Sequence, residues 1–223
     1  MRTIACLHAH HSNITYIDQL LENYDVKILH YVDSDLINQL SDPDFSQIEV
    51  KVKLEEHINQ IMSTDVDGLI LTCTNFIGLL DRFKLNFPFP ILKIDEAFFG
   101  EIIKLENPRI FFTNPQTIDV TLARLKQFSE ANHYPFESIQ IKLVEDSFPL
   151  ILNNKKQEYL LKIKDCIAHH LEQNEHVCLG QLSMSDVHGL LSSEQRKLTV
   201  TMLEPLLVSC IEKFSLKKKR AKT

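Results

Sequence analysis

Short apolar runs alternate with amphipathic stretches along almost the whole chain. Residues 3–7, 26–32, 68–72, 91–94, 109–112 and 176–180 have the length and composition of strands. The run Gly68-Leu-Ile-Leu-Thr72 is near-continuously apolar, as in a strand of a parallel sheet that is covered on both faces. Residues 139–144 alternate instead and predict an edge strand. Residues 189–191 predict a last short one.

Helical stretches fill the gaps. Ser12 or Asn13 caps a helix that runs to about Glu22. Residues 33–40 form a short helix stopped by Asp42-Pro43. Residues 46–63 carry a stripe at Ile48, Val52, Leu54 or Glu55, Ile58, Ile61 and Met62. A helix over 76–83 ends before Phe87-Pro-Phe-Pro90. Asp95 caps the next, which runs to about Leu105. Pro115 opens another at its favoured first position, with Ile118, Leu122, Leu125 and Phe128 on its apolar face. Residues 146–157 predict a loop, and residues 159–171 a helix. The closing helix runs from Ser193 or Glu194 to about Phe214, kinked or broken at Pro205. This alternation predicts an α/β fold of mostly parallel sheets flanked by helices.

Composition narrows the function classes. The chain has 223 residues, with 24 Lys plus Arg against 30 Asp plus Glu, a net charge of −6. A mildly acidic chain argues against nucleic acid as the main partner. No apolar run approaches the roughly 20 residues of a membrane span. The apolar stretch at the N-terminus is too short for a signal peptide. Cys6, Cys73, Cys166, Cys178 and Cys210 are scattered and odd in number, with no CxxC pair. That pattern predicts thiols in a reducing, cytoplasmic setting. The basic run 217–220, with Lys222, predicts a solvated tail.

Ligands of open parallel sheets sit beyond the carboxyl ends of the strands. The residues at those ends are His8, His10, His11, Ser12 and Asn13; Cys73, Thr74 and Asn75; Thr113, Asn114, Gln116 and Thr117; and Gln181, Leu182 and Ser183. Small hydroxyls, amides and one thiol suit a compact anionic ligand. With only five glycines, the chain has no glycine-rich phosphate loop. A thiol at a strand-to-helix turn lies near helix N–H groups that lower its pKa. Thr74 and Asn75 could hold a carboxylate against the same groups. The competing reading of Cys73 is a small buried hydrophobe. The cluster His8-Ala-His-His11 lacks standard zinc spacing, and no metal is expected there.

Four segments in order resemble the aspartate/glutamate/hydantoin racemase superfamily. They are Gly68-Leu-Ile-Leu-Thr-Cys-Thr-Asn75, Phe89-Pro-Ile-Leu-Lys-Ile-Asp-Glu-Ala97, Ile110-Phe-Phe-Thr-Asn-Pro-Gln-Thr117 and Val177-Cys-Leu-Gly-Gln-Leu-Ser-Met184. The resemblance spans nearly the whole chain. It implies two similar α/β lobes with a cleft between them, residues 1–94 plus 193–223 and residues 95–192. It also implies proton transfer at a carbon of a small carboxylate or amino acid, without metal or pyridoxal phosphate. In the family each lobe supplies one cysteine, one thiolate removing a proton and the other thiol donating one from the opposite face. Cys73 matches the first cysteine. Asn75, Thr113 and Thr117 match ligand-lining positions, with Asn114 beside them. His8, Ser12 and Asn13 fall in the first loop but do not reproduce the Asp-Ser motif of glutamate racemases.

The second cysteine departs from the pattern. Aligned on Gly180, the catalytic position holds Gln181, and Cys178 lies inside the strand. Glutamine hydrogen-bonds but exchanges no proton near neutral pH. Three readings follow: a single-thiol isomerase or lyase with Cys73 catalytic and Gln181 orienting the substrate; a racemase whose second acid is Ser183, Asp186 or His188; and a non-catalytic ligand- or partner-binding protein. The expected partner is a small carboxylate or amino acid. A homodimer is compatible with all three.

Overall fold

The computed structural model describes residues 1–39 and 46–220. The predicted stop at Asp42-Pro43, and Lys222 of the tail, lie outside the described residues. The chain divides into two compact units, residues 1–94 with 207–223, and residues 95–206.

The first unit contains β1 (Arg2–His8), α1 (Ser12–Leu21), β2 (Val26–Val32), α2 (Ser34–Gln39), α3 (Gln47–Met62), β3 (Gly68–Leu71), α4 (Thr74–Phe83) and β4 (Ile91–Lys93). Its four strands run parallel in the order β2-β1-β3-β4. The second unit contains α5 (Ile94–Ile102), β5 (Arg109–Phe112), α6 (Ile118–Ala131), β6 (Gln140–Leu143), α7 (Phe148–Leu152), α8 (Lys156–Glu172), β7 (Val177–Leu179), α9 (Ser193–Lys197) and β8 (Thr199–Val200). Its four strands are parallel in the order β6-β5-β7-β8. The closing helix α10 (Leu203–Phe214) crosses the division at Leu207. The fold is thus α/β, with two four-stranded parallel sheets flanked by helices.

The near-continuous apolar runs form the sheet centres. Residues 69–71, 110–112 and 177–179 are all 1% exposed or less. The alternating stretch forms edge strand β6, as its pattern demands. Ser46 caps α3 in a reciprocal capping box with Glu49. The buried stripe of that helix is Val50, Leu54, Ile58 and Ile61, while Ile48, Val52 and Met62 face solvent. The expected positions Leu54, Ile58 and Ile61 are thus buried, while Val50 takes the place expected of Ile48 and Val52.

Other expectations are corrected. His11, not Ser12 or Asn13, is the N-cap residue of α1, and it makes no side-chain cap bond. Helix α5 starts at Ile94, so Asp95 lies in its first turn. Residues 189–191 belong to a 3-10 segment, Leu182–Leu190, and its end; they are not a strand. The last strand is β8, paired with β7. The expected closing helix is split into α9 and α10 around β8, and Pro205 sits in the first turn of α10, where its missing N–H costs little. Because β8 belongs to the second sheet, the chain returns to the first unit at Leu207 and not at 193. The presumed loop 146–157 contains α7. The basic run 217–220 is exposed, as expected, yet its backbone is tied down: Asp25 N–H donates to Lys217 O at 2.8 Å and Lys219 N–H to Asn23 O at 2.8 Å.

The two units repeat one topology without repeating sequence. Thr72 N–H donates to Leu7 O, and Gly180 N–H donates to Phe111 O. Asp33 N–H donates to His8 O, and Val144 N–H to Phe112 O. Leu69 N–H donates to Pro90 O, and Val177 N–H to Leu198 O. These ladder bonds equate Thr72 with Gly180, and hence Cys73 with Gln181. They also equate His8 with Phe112. The polar pair His8–Thr72 of the first unit becomes an aromatic ring lying on a glycine in the second. A Cβ at Gly180 would stand 2.8 Å from Phe112 Cε1, and Phe112 is fully buried. Gly180→Ala is expected to cost about 1–3 kcal/mol in denaturant unfolding, because the ring has nowhere to move.

Candidate functional site

Cys73 follows β3 and is the N-cap residue of α4, with extended backbone (φ −126°, ψ 120°). Its carbonyl accepts the Ile77 N–H at 3.1 Å. Its thiol, like Thr74 and Asn75, is half-buried. The first-turn N–H groups of Thr74, Asn75 and Phe76 have no intrahelical acceptor, so this turn suits negative charge.

Thr72, one residue earlier, anchors a buried chain of hydrogen bonds. Its Oγ1 lies 2.8 Å from His8 Nδ1, His8 Nε2 is 2.9 Å from His30 Nδ1, and His30 Nε2 is 3.0 Å from Asp18 Oδ1. The Asp18 carboxylate can only accept, so His30 donates through Nε2 and, when neutral, accepts at Nδ1. His8 then donates through Nε2 and accepts the Thr72 hydroxyl at Nδ1. Asn13 Nδ2 donates to Thr72 Oγ1 at 3.3 Å. Burial, followed by the neighbouring His30, pushes the His8 pKa down to about 4. His8 is therefore a neutral residue that acts through Thr72, and none of its side chain is exposed to a ligand. Ser12, also expected at the site, is exposed and bonds His10 Nδ1 at 2.8 Å. His11 acts on His8 only as a nearby charge that disfavours its protonation.

In the second unit Gln181 follows β7 and caps the 3-10 segment Leu182–Leu190, again with extended backbone (φ −141°, ψ 143°). Its Oε1 accepts the Thr113 N–H at 2.6 Å, the Thr113 hydroxyl at 2.7 Å and the Asn114 N–H at 3.0 Å. Two backbone N–H groups can only donate, which fixes the amide with its oxygen towards them. Its Nε2 faces Thr117 Oγ1 at 3.4 Å, and Thr117 Oγ1 donates to Asn114 O. Behind Thr113, Tyr159 OH lies 3.1 Å from Thr113 Oγ1 and 2.9 Å from Ser183 Oγ. Since Thr113 gives its proton to Gln181, the donors run Ser183 to Tyr159 to Thr113. Burial raises the Tyr159 pKa, which keeps the phenol protonated for this role. The structure thus brings Gln181, Thr113, Asn114, Thr117 and Ser183 together. Tyr159 was missed, because nothing local in a helical apolar stripe marks a hydroxyl that reaches a strand end 46 residues away.

Three donors around one oxygen form an anion hole, here holding a neutral carbonyl. Gln181→Ala is expected to cost about 1–3 kcal/mol, by leaving buried donors unpaired. Gln181→Glu is expected to be at least as stable as the parent at neutral pH. Its carboxylate would receive the same donors, giving a folded pKa below the unfolded one. That advantage should disappear as pH falls through the folded pKa. Urea unfolding at neutral and acid pH measures both.

The other second-acid candidates are engaged elsewhere. Asp186 pairs with Lys156, and His188 Nε2 lies 3.0 Å from Thr199 O. Cys178 is fully buried within β7, and desolvation pushes its thiol pKa well up.

No family model matches the sequence, and no curated protein matches it. Solved structures do. The aspartate racemase of Picrophilus torridus superposes with a TM-score of 0.72 at 12% identity, covering 98% of this chain and 96% of that one. A glutamate racemase from Bacillus anthracis gives 0.66 at 12% identity, with 95% and 80% covered. The allantoin racemase of Klebsiella pneumoniae gives 0.63 at 15% identity, with 100% and 95% covered. The chain shares the fold of these aspartate, glutamate and allantoin racemases. Among the described residues no helix is long and apolar enough to cross a membrane.

Proposed function

We propose that the chain is a racemase-like isomerase or lyase acting on a small carboxylate or amino acid, with Cys73 as its only working thiol. The observation that carries this reading is the repeat. A half-buried thiol heads α4, and the equivalent position of the second unit holds an amide. Cys73 accepts a proton from carbon: the C–H bond breaks, the S–H bond forms, and the electron pair delocalises into the carboxylate. The same thiol returns the proton either to a neighbouring carbon of the delocalised anion or to the opposite face of the first carbon after the planar anion turns over; either return gives the isomer. In a lyase the C–C bond to the departing carboxylate breaks first, and Cys73 protonates the carbon left behind. Thr74 and Asn75 hold the substrate beside the opening of α4, with Asn13 next to them, while His8 fixes Thr72. Within the second unit, Gln181, Thr113, Asn114, Thr117 and Ser183 form a polar cluster of their own at the strand ends. No step uses a metal or pyridoxal phosphate, and a reducing compartment such as the cytoplasm suits a working thiol.

The occupied donors around Gln181 favour a second reading, a non-catalytic protein that binds a small ligand. One experiment separates the two. The chain is incubated in D2O with a panel of small amino acids, hydroxy acids and dicarboxylates. Deuterium incorporation at carbon, or release of CO2, supports the enzyme. A ligand that raises the melting temperature with no exchange or turnover across the panel overturns it.

A further inference from the structure

The first sheet carries a cluster that the thiol chemistry does not use. Cys6 and His8 are two residues apart on β1, so they share a face. His30 on β2 is the registered parallel partner of Cys6 and lies on that face too. Cys6 Sγ and one ring nitrogen each of His8 and His30 all lie within 4.8 Å of one another.

We propose that Cys6, His8 and His30 form a binding site for a zinc-type divalent ion on this buried face. One thiolate and two imidazoles supply three of the four positions such an ion takes, with the donor atoms it prefers. Tetrahedral ligation at zinc distances places ligand atoms about 3.3–3.6 Å apart. His8 Nε2 and His30 Nδ1, at 2.9 Å, need to part by only a few tenths of an ångström. The nitrogens turned away from the ion already have partners. His30 Nε2 meets Asp18 Oδ1 at 3.0 Å, and His8 Nδ1 meets Thr72 Oγ1 at 2.8 Å. Carboxylate and hydroxyl partners of this kind orient metal-bound histidines and raise their basicity.

Charge and protons balance as well. The dication, the Cys6 thiolate and the Asp18 carboxylate sum to zero, which makes burial tolerable. On binding, the Cys6 thiol proton leaves to solvent. His8 moves its ring proton from Nε2 to Nδ1 and donates to Thr72. The Thr72 hydroxyl then turns to Leu7 O, 3.2 Å away. Every polar group keeps a partner in both states. The ion would sit one ligand bond and one hydrogen bond from Thr72, the residue before Cys73, as a clamp between β1 and β2. The proposal stands whether or not Cys73 is catalytic.

The test uses the full chain, titrated with Zn2+ against a chromophoric chelator and separately loaded with Co2+. One equivalent of Zn2+ is expected to bind, and the Co2+ form to show a thiolate-to-metal charge-transfer band. Cys6→Ala and His30→Gln should abolish both signals. Cys166→Ser, which removes an exposed thiol, should change neither. Asp18→Asn keeps all three ligands and should weaken Zn2+ binding by about 10- to 100-fold. The Asp18 side chain is 57% exposed, so this variant folds even if Cys6→Ala does not. Equal Zn2+ affinity in the parent and Asp18→Asn, or a Co2+ form without the thiolate band, overturns the proposal. In that case the cluster is only a hydrogen-bonded histidine pair.

Discussion

Cys73→Ala is expected to lower turnover by about 10²- to 10⁴-fold, the range supplied by one positioned acid–base group. The loss should fall on kcat/KM and kcat together, because the thiol acts at the step where carbon loses or gains a proton. Melting should stay within about 1 kcal/mol of the parent, since the residue is half-buried at a helix end and not packed in a core. Cys73→Ser should be nearly as inactive, because a hydroxyl does not ionise near neutral pH. Thiol labelling gives an independent check. Cys6, Cys178 and Cys210 are buried, and burial raises all three thiol pKa values. In a Cys166→Ser background, iodoacetamide uptake in native protein at neutral pH should therefore report Cys73 alone. Turnover unchanged in Cys73→Ala would sink the assignment.

Part of this was legible in the sequence. Residues 69–71, 110–112 and 177–179 read as buried strands because covered parallel strands have no polar face to show. That Gln181 follows Gly180 at the end of a strand could be read from the sequence, and the ladder bonds make it the topological equivalent of Cys73 in the repeat. What Gln181 does there was not legible. Its oxygen is held by donors 67 and 68 residues away, and no local spacing encodes that. The Cys6–His8–His30 cluster was hidden for a similar reason. The eye falls on His8-Ala-His-His11, yet a strand puts Cys6 on the face of His8, and only strand register brings His30 there. Strand β8 has two residues, too few for any periodicity, so the end of the second unit was misread. Asp95 reads as a helix cap from its position after β4, but its partner lies a helix away.

That partner makes Asp95→Ala the substitution with the largest expected effect on stability, about 3–5 kcal/mol. Asp95 is fully buried and Arg124 is 8% exposed. The guanidinium grips the carboxylate with two nitrogens, Nε to Oδ2 and Nη2 to Oδ1, tying α5 to α6. Burial raises the Asp95 pKa, and Arg124 pulls it partly back. The pair is thus worth little over a well-packed apolar pair, while either member alone is costly. Removing Asp95 takes the buried counter-charge from a guanidinium that cannot deprotonate. Glu96, at 3.2 Å from Nη2, stays beside it, but its side chain is 44% exposed and screened by solvent. The double variant Asp95→Ala with Arg124→Met should recover most of the loss, since no buried charge then remains. Urea unfolding of the parent, the two single variants and the double variant closes the cycle. A single-variant cost below about 1 kcal/mol would place the pair among ordinary surface bridges, and the join of α5 to α6 would then rest on apolar packing such as Phe99 against Phe128.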